Sequence, residues 1–113
     1  MIDARRMEVF TALYNANGER IKPVTAEIID ENFLHEYLEK QPVLFFGNGA
    51  RKCKNILLHK NAVFSGPIVT SAQFMQKIAF EKYNKKEFEN VAYFEPFYLK
   101  DFVATIPKNK IIP

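Results

Sequence analysis

Tryptophan is missing from the 113-residue sequence, cysteine occurs once, histidine twice and glycine four times. Each scarcity removes a class of protein. The single Cys53 makes no internal disulfide, so a disulfide-stapled secreted scaffold is excluded. A lone thiol between Lys52 and Lys54 fits a reducing compartment, and the expected location is cytoplasmic. His35 and His59 lie far apart, with no His-x-x-x-His or His-Glu-x-x-His pair, so no metal site and no metalloprotease is expected. No run approaches the roughly 20 apolar residues of a membrane span. The opening Met-Ile-Asp-Ala-Arg-Arg also lacks the apolar centre of a signal peptide. Net charge is +3 with lysine and arginine dispersed, so the basic footprint of a nucleic-acid binder is absent. Internal repeats and low-complexity runs are absent as well.

What is present is an ordinary globular balance, 48% hydrophobic and 26% charged, well away from compositions that stay disordered. The length suits one domain over 1–113, since a single core typically serves about 100 to 150 residues. Eleven Phe and five Tyr are a heavy aromatic load, which points to rings on a surface made for another domain or subunit.

Residues 7–14 alternate, with Met7, Val9, Thr11 and Leu13 on one face and Glu8, Phe10, Ala12 and Tyr14 on the other. This period predicts a strand, and apolar residues on both faces predict a central one. Asn17-Gly18 supplies a tight turn and 21–29 the return strand of a hairpin. Ile2-Asp3-Ala4 reads as the tail of an earlier strand. Asp30 is the expected cap of a helix carrying Leu34, Tyr37 and Leu38, which Pro42 ends. Val43-Leu44-Phe45-Phe46 has the pattern of a buried parallel strand and runs into Gly47-Asn48-Gly49-Ala50. A second helix follows, with Ala50, Cys53 and Leu57 inward and Arg51, Lys52 and Lys54 solvated. After a short strand at 62–64 and a Ser65-Gly66-Pro67 break, Ser71 begins the longest predicted helix. Its expected buried stripe is Ala72, Met75, Ile78, Ala79 and Tyr83. Aromatics crowd 93–99, and Pro107 and Pro113 argue against regular structure in the tail.

Two or three antiparallel strands, then helix, strand, helix, strand and helix, is a ribonuclease-H-like α/β layout. It predicts a mixed sheet with an antiparallel N-terminal hairpin and flanking helices, as in one half of actin- and Hsp70-like ATPases.

Three segments in order carry a family resemblance. Ile2-Asp3-Ala4-Arg5-Arg6-Met7-Glu8-Val9-Phe10 resembles the opening of the second domain of TsaB (YeaZ) proteins. Leu44-Phe45-Phe46-Gly47-Asn48-Gly49-Ala50 resembles a segment from the middle of that domain, and Glu95-Pro96-Phe97-Tyr98-Leu99 is similar to its closing motif. The resemblance implies the C-terminal half of a two-domain protein that acts in tRNA threonylcarbamoyladenosine synthesis. The role would be a non-catalytic scaffold for a TsaD-like catalytic subunit, alongside a TsaE-like ATPase and the enzyme that makes threonylcarbamoyl-adenylate. Contact with tRNA would be indirect, and no membrane is implied. In that family the first domain mediates the homodimer and the TsaD contact, so this domain alone is expected to be monomeric. It is also expected to bind the partner poorly and to hold no cofactor of its own, with ATP or ADP entering only in the complex. The family's glycoprotease-like label does not extend to protease chemistry here, because the paired histidine ligands are absent.

Two turns are candidate sites. Active relatives open the second domain with a glycine-rich phosphate turn. Here Asp3, Ala4, Arg5 and Arg6 stand in that place, and their side chains obstruct close backbone approach by a phosphate. Asp3, Arg5 and Arg6 either contact a phosphate or a partner carboxylate, or pair with one another to fix the hairpin. Gly47, Asn48, Gly49 and Ala50 sit where actin-like proteins place an adenosine-binding turn, between a strand and a helix N-terminus. No Lys-Ser or Lys-Thr follows, so this is no Walker A loop. The alternatives are an ATP-binding turn and a plain strand-to-helix connection. Cys53 reads as a small core residue. The aromatics from Tyr93 to Tyr98 read as packing against the sheet or a further domain, with Phe97 buried.

Overall fold

The structure, a computed structural model, describes residues 1–66 and 68–100. The proline break at Pro67 and the tail prolines Pro107 and Pro113 lie outside the described residues. Three antiparallel strands come first: β1 (Ile2–Asp3), β2 (Glu8–Tyr14) and β3 (Arg20–Ile28), in sheet order β1-β2-β3. The alternation read over 7–14 is thus a strand. Asn15 organises its hairpin: Oδ1 accepts the Asn17 and Glu19 N–H groups at 3.0 and 2.9 Å, and Gly18 takes φ 82°. Two register shifts, both absorbed by extra residues on β3, twist that strand around Pro23.

The middle of the chain holds α1 (His35–Leu38), β4 (Val43–Phe45), α2 (Ala50–Cys53) and β5 (Ala62–Phe64), with β4 and β5 paired in parallel. Asp30 does not cap α1. It closes an earlier turn, accepting the Asn32 N–H at 2.9 Å, and the helix starts at Leu34 in a left-handed conformation. Pro42 follows the helix as expected.

Among the described residues all eight buried apolar residues lie between Val9 and Leu57: Val9, Ile29, Leu38, Val43, Phe45, Ala50, Cys53 and Leu57. One face of each sheet is therefore covered by α1, α2 and the loop after it. Val43 and Phe45 turn inward while Leu44 is 56% and Phe46 47% exposed, so the run at 43–46 is buried on alternate residues only. An expected single mixed sheet is present as a three-stranded and a two-stranded sheet.

The segment after 66 departs from expectation. A 3₁₀ turn at Ala72–Met75 leads into α3 (Gln76–Asn84), and Ser71 caps the turn, accepting the Gln73 N–H at 3.4 Å. No residue of either element is buried: Met75, Ile78 and Tyr83 of the predicted stripe are all more than half exposed. Phe97 is 82% exposed, so the expected packing of the aromatic segment on the sheet is also overturned. The helical spacing is present in the sequence, but spacing does not supply the surface a stripe packs on.

Candidate functional site

The structure brings the two candidate turns together. β1 ends in a tight turn at 4–7, where Ala4 N–H donates to Glu8 O and Glu8 N–H to Arg5 O, both at 3.1 Å. Arg5 and Arg6 hold φ values of 72° and 48°, the left-handed region that glycine fills at little cost. Asp3 stabilises this turn by accepting the Arg5 backbone N–H at 2.8 Å. It does not pair with an arginine side chain, as the sequence suggested. Its partner is Lys52, whose Nζ lies 2.6 Å from Asp3 Oδ1 and 2.6 Å from Glu8 O.

Lys52 is the residue that the sequence reading missed. It was expected among the solvated cations of α2 but turns back over the 3–8 turn, its side chain 21% exposed. Nothing in the local spacing announces a contact between positions so distant in sequence. Hydrogen bonds from Lys52 and the Arg5 N–H hold the Asp3 carboxyl below its ordinary value.

The second turn packs against β1. Gly47 has φ 98°, and a Cβ there would lie 2.1 Å from Met1 O; one at Gly49 would lie 2.9 Å from the Ile2 carbonyl carbon. Both glycines therefore permit close backbone approach between the β4–α2 turn and β1. Asn48 Oδ1 accepts the Asp3 N–H at 2.9 Å, Gly49 N–H donates to Met1 O at 3.3 Å, and the Met1 amino group donates to Phe46 O at 2.7 Å. Ala50, fully buried, opens α2. With only four residues that helix offers a weak dipole.

A cleft of about 570 Å³ lies beyond this turn, where β4 and β5 end, lined by Asn48, Arg51, Lys54, Phe64, Ser65 and Val69 among others. It supplies two cations, one side-chain amide and an apolar wall. Cys53 lies outside it, fully buried, its thiol donating to Gly49 O at 3.3 Å; burial pushes the thiol above its ordinary value, so it stays protonated.

The histidines, distant in sequence, meet on the other side of the core. Glu39 Oε1 is 3.1 Å from His59 Nε2 and 3.8 Å from His35 Nε2. His59 Nδ1 accepts the Asn61 N–H at 3.1 Å, and Asn61 Nδ2 donates to Leu38 O at 2.7 Å. These bonds latch α1 to the loop before β5.

No family model, no curated protein and no solved structure matches the chain. Among the described residues no helix is long and apolar enough to cross a membrane.

Proposed function

We propose that this chain is a non-catalytic scaffold of the TsaB type, supporting a TsaD-like subunit in tRNA threonylcarbamoyladenosine modification. One observation carries the scaffold reading. Between 68 and 98 the chain presents Phe74, Met75, Ile78, Phe80, Phe88 and Tyr93, each more than half exposed, where a self-sufficient domain would bury such side chains. The identity of the partner comes from the three sequence segments that resemble TsaB proteins. The candidate turns fit the same reading, since the polar groups of Asp3, Asn48 and Lys52 are engaged with one another and with backbone. Deleting the gene and quantifying threonylcarbamoyladenosine in bulk tRNA by mass spectrometry tests it. The modification should fall sharply and return on complementation; an unchanged level sinks the proposal.

The cleft beside Gly47 favours a second reading, an actin-like nucleotide-binding domain. Ligands of open α/β sheets bind at the carboxyl ends of parallel strands, and Arg51 and Lys54 suit a phosphate there. Calorimetry with ATP and Mg²⁺ separates the two. The scaffold reading expects no heat of binding from this chain alone, whereas binding that Arg51→Ala weakens would favour the nucleotide reading.

A further inference from the structure

Several turns of this chain are closed by one kind of bond, from the backbone N–H of residue i+2 to a side-chain oxygen of residue i. Asp3 accepts from Arg5 at 2.8 Å, Asn15 from Asn17 at 3.0 Å, Asp30 from Asn32 at 2.9 Å and Asn90 from Ala92 at 3.0 Å. Before β5 a ring nitrogen takes the place of the oxygen: His59 Nδ1 accepts the Asn61 N–H at 3.1 Å. Amide and carboxylate oxygens go on accepting near neutral pH, whereas imidazole is the side chain that ordinarily titrates between about pH 5 and 8. The bond also fixes the tautomer. A backbone N–H donates and never accepts, so Nδ1 holds a lone pair and the ring proton sits on Nε2, where it reaches Glu39 Oε1 at 3.1 Å.

A second ring proton has to go to Nδ1, where it meets the Asn61 N–H donor against donor. The charged ring is at the same time drawn more strongly to the Glu39 carboxylate at the end of α1. Asn61 is placed to pass this change on. Its carbonyl accepts the Val43 N–H at 2.9 Å at the start of β4, and its Nδ2 donates to Leu38 O at 2.7 Å. Leu38 is one of the buried core residues, so Asn61 ties the core-bearing end of α1 to β4. The other titratable group against His59 is His35, also from α1. Its ring stands edge-on with centroids 6.2 Å apart, and its Nε2 lies 3.8 Å from the same Glu39 oxygen, too far for a hydrogen bond. Lys40 and Lys60 are the chain neighbours of Glu39 and His59 and oppose added positive charge. We propose that His59 is a proton-operated latch. Neutral, it holds the 59–61 turn closed and keeps Asn61 between α1 and β4; the second proton releases the Asn61 N–H and loosens that junction.

The latch is independent of the tRNA-modification reading and is decided by NMR, following the ring nitrogens of His59 and the protection of backbone amides between about pH 8 and pH 5. At the upper end the His59 ring should carry its proton on Nε2. As His59 titrates, protection of the Asn61 amide, taken relative to its intrinsic exchange rate, should fall at least about tenfold, while that of the buried Val9 in β2 holds. His59→Asn sets an amide oxygen where Nδ1 stood and should keep Asn61 protected through the whole range. His35→Gln should leave the loss in place. A proton on Nδ1 at the upper end, or Asn61 protection unchanged across the titration of His59, overturns the proposal. The same loss in His59→Asn, or its disappearance in His35→Gln, overturns it too. So does loss at Val9 in step with Asn61, which would be general acid unfolding and not a local release.

Discussion

Two glycines with similar positive φ should respond very differently to a methyl group. Gly18 has φ 82° and open space around its missing Cβ, so Gly18→Ala carries only the left-handed strain of roughly 1 kcal/mol. Gly47 adds a collision with Met1 O, and Gly47→Ala should cost more than about 2 kcal/mol by urea denaturation, because β1 must move away. Equal losses at the two sites would refute the close-approach role. Asp3 and Lys52 give a second residue-level expectation. Hydrogen bonds from Lys52 and then from the Arg5 N–H depress the Asp3 pKa below its ordinary 3.8. The resulting stability is complete above pH 3.8 and is lost as pH falls through the depressed value. Asp3→Asn should therefore be less stable than the parent at neutral pH, with the gap closing on acidification below 3.8; a gap constant with pH would argue against the pair. Lys52→Met removes the bonds to Asp3 and Glu8 O together and should cost about 2 kcal/mol. The sequence showed Asp3 in a candidate turn with Arg5 and Arg6. It did not show Lys52, because the contact depends on how α2 meets β1.

At the scale of elements, strands were legible and helices were only half so. Alternation over β2, the Asn17-Gly18 turn and the apolar run at β4 are local patterns that translate directly into backbone. The pairing of β4 with β5 was likewise readable from a strand, turn, helix, strand order. Helix lengths were not: α1 and α2 are four residues each, since short helices depend on tertiary packing and not on intrinsic propensity. The stripe on α3 is the clearest failure. Its apolar spacing is real, yet no residue is buried, because periodicity defines a face without saying whether this chain provides its partner. That contrast is measurable. Leu38→Ala, at 1% exposure, should destabilise by about 2 to 5 kcal/mol, whereas Ile78→Ser and Phe97→Ala should each change stability by less than about 0.5 kcal/mol. A large loss at Ile78 would mean that α3 folds onto the core in solution.

For the whole molecule, the accessible surface is 10361 Å², against roughly 6,400 Å² for a compact chain of this size. Among the described residues all the buried apolar side chains lie between Val9 and Leu57, so the core drawn from them is small for a chain of 113 residues. Unfolding therefore exposes less new surface than it would for a compact chain of this length, since the apolar residues from 68 to 98 already face water. The dependence of stability on urea follows newly exposed area, which places this chain at the bottom of the usual range, near 1 kcal/mol/M. A binding partner that covers the 68–98 surface adds buried area to the folded state alone, so it should raise both the slope and the midpoint of the urea transition. The check is a pair of urea titrations followed by far-UV circular dichroism, one on the chain alone and one with the domain or subunit proposed to cover the 68–98 surface bound. A shallow slope that steepens in the complex is the expected result. A steep slope from the chain alone would mean that the exposed aromatics find a place on its own core, and the scaffold reading would lose the observation it rests on.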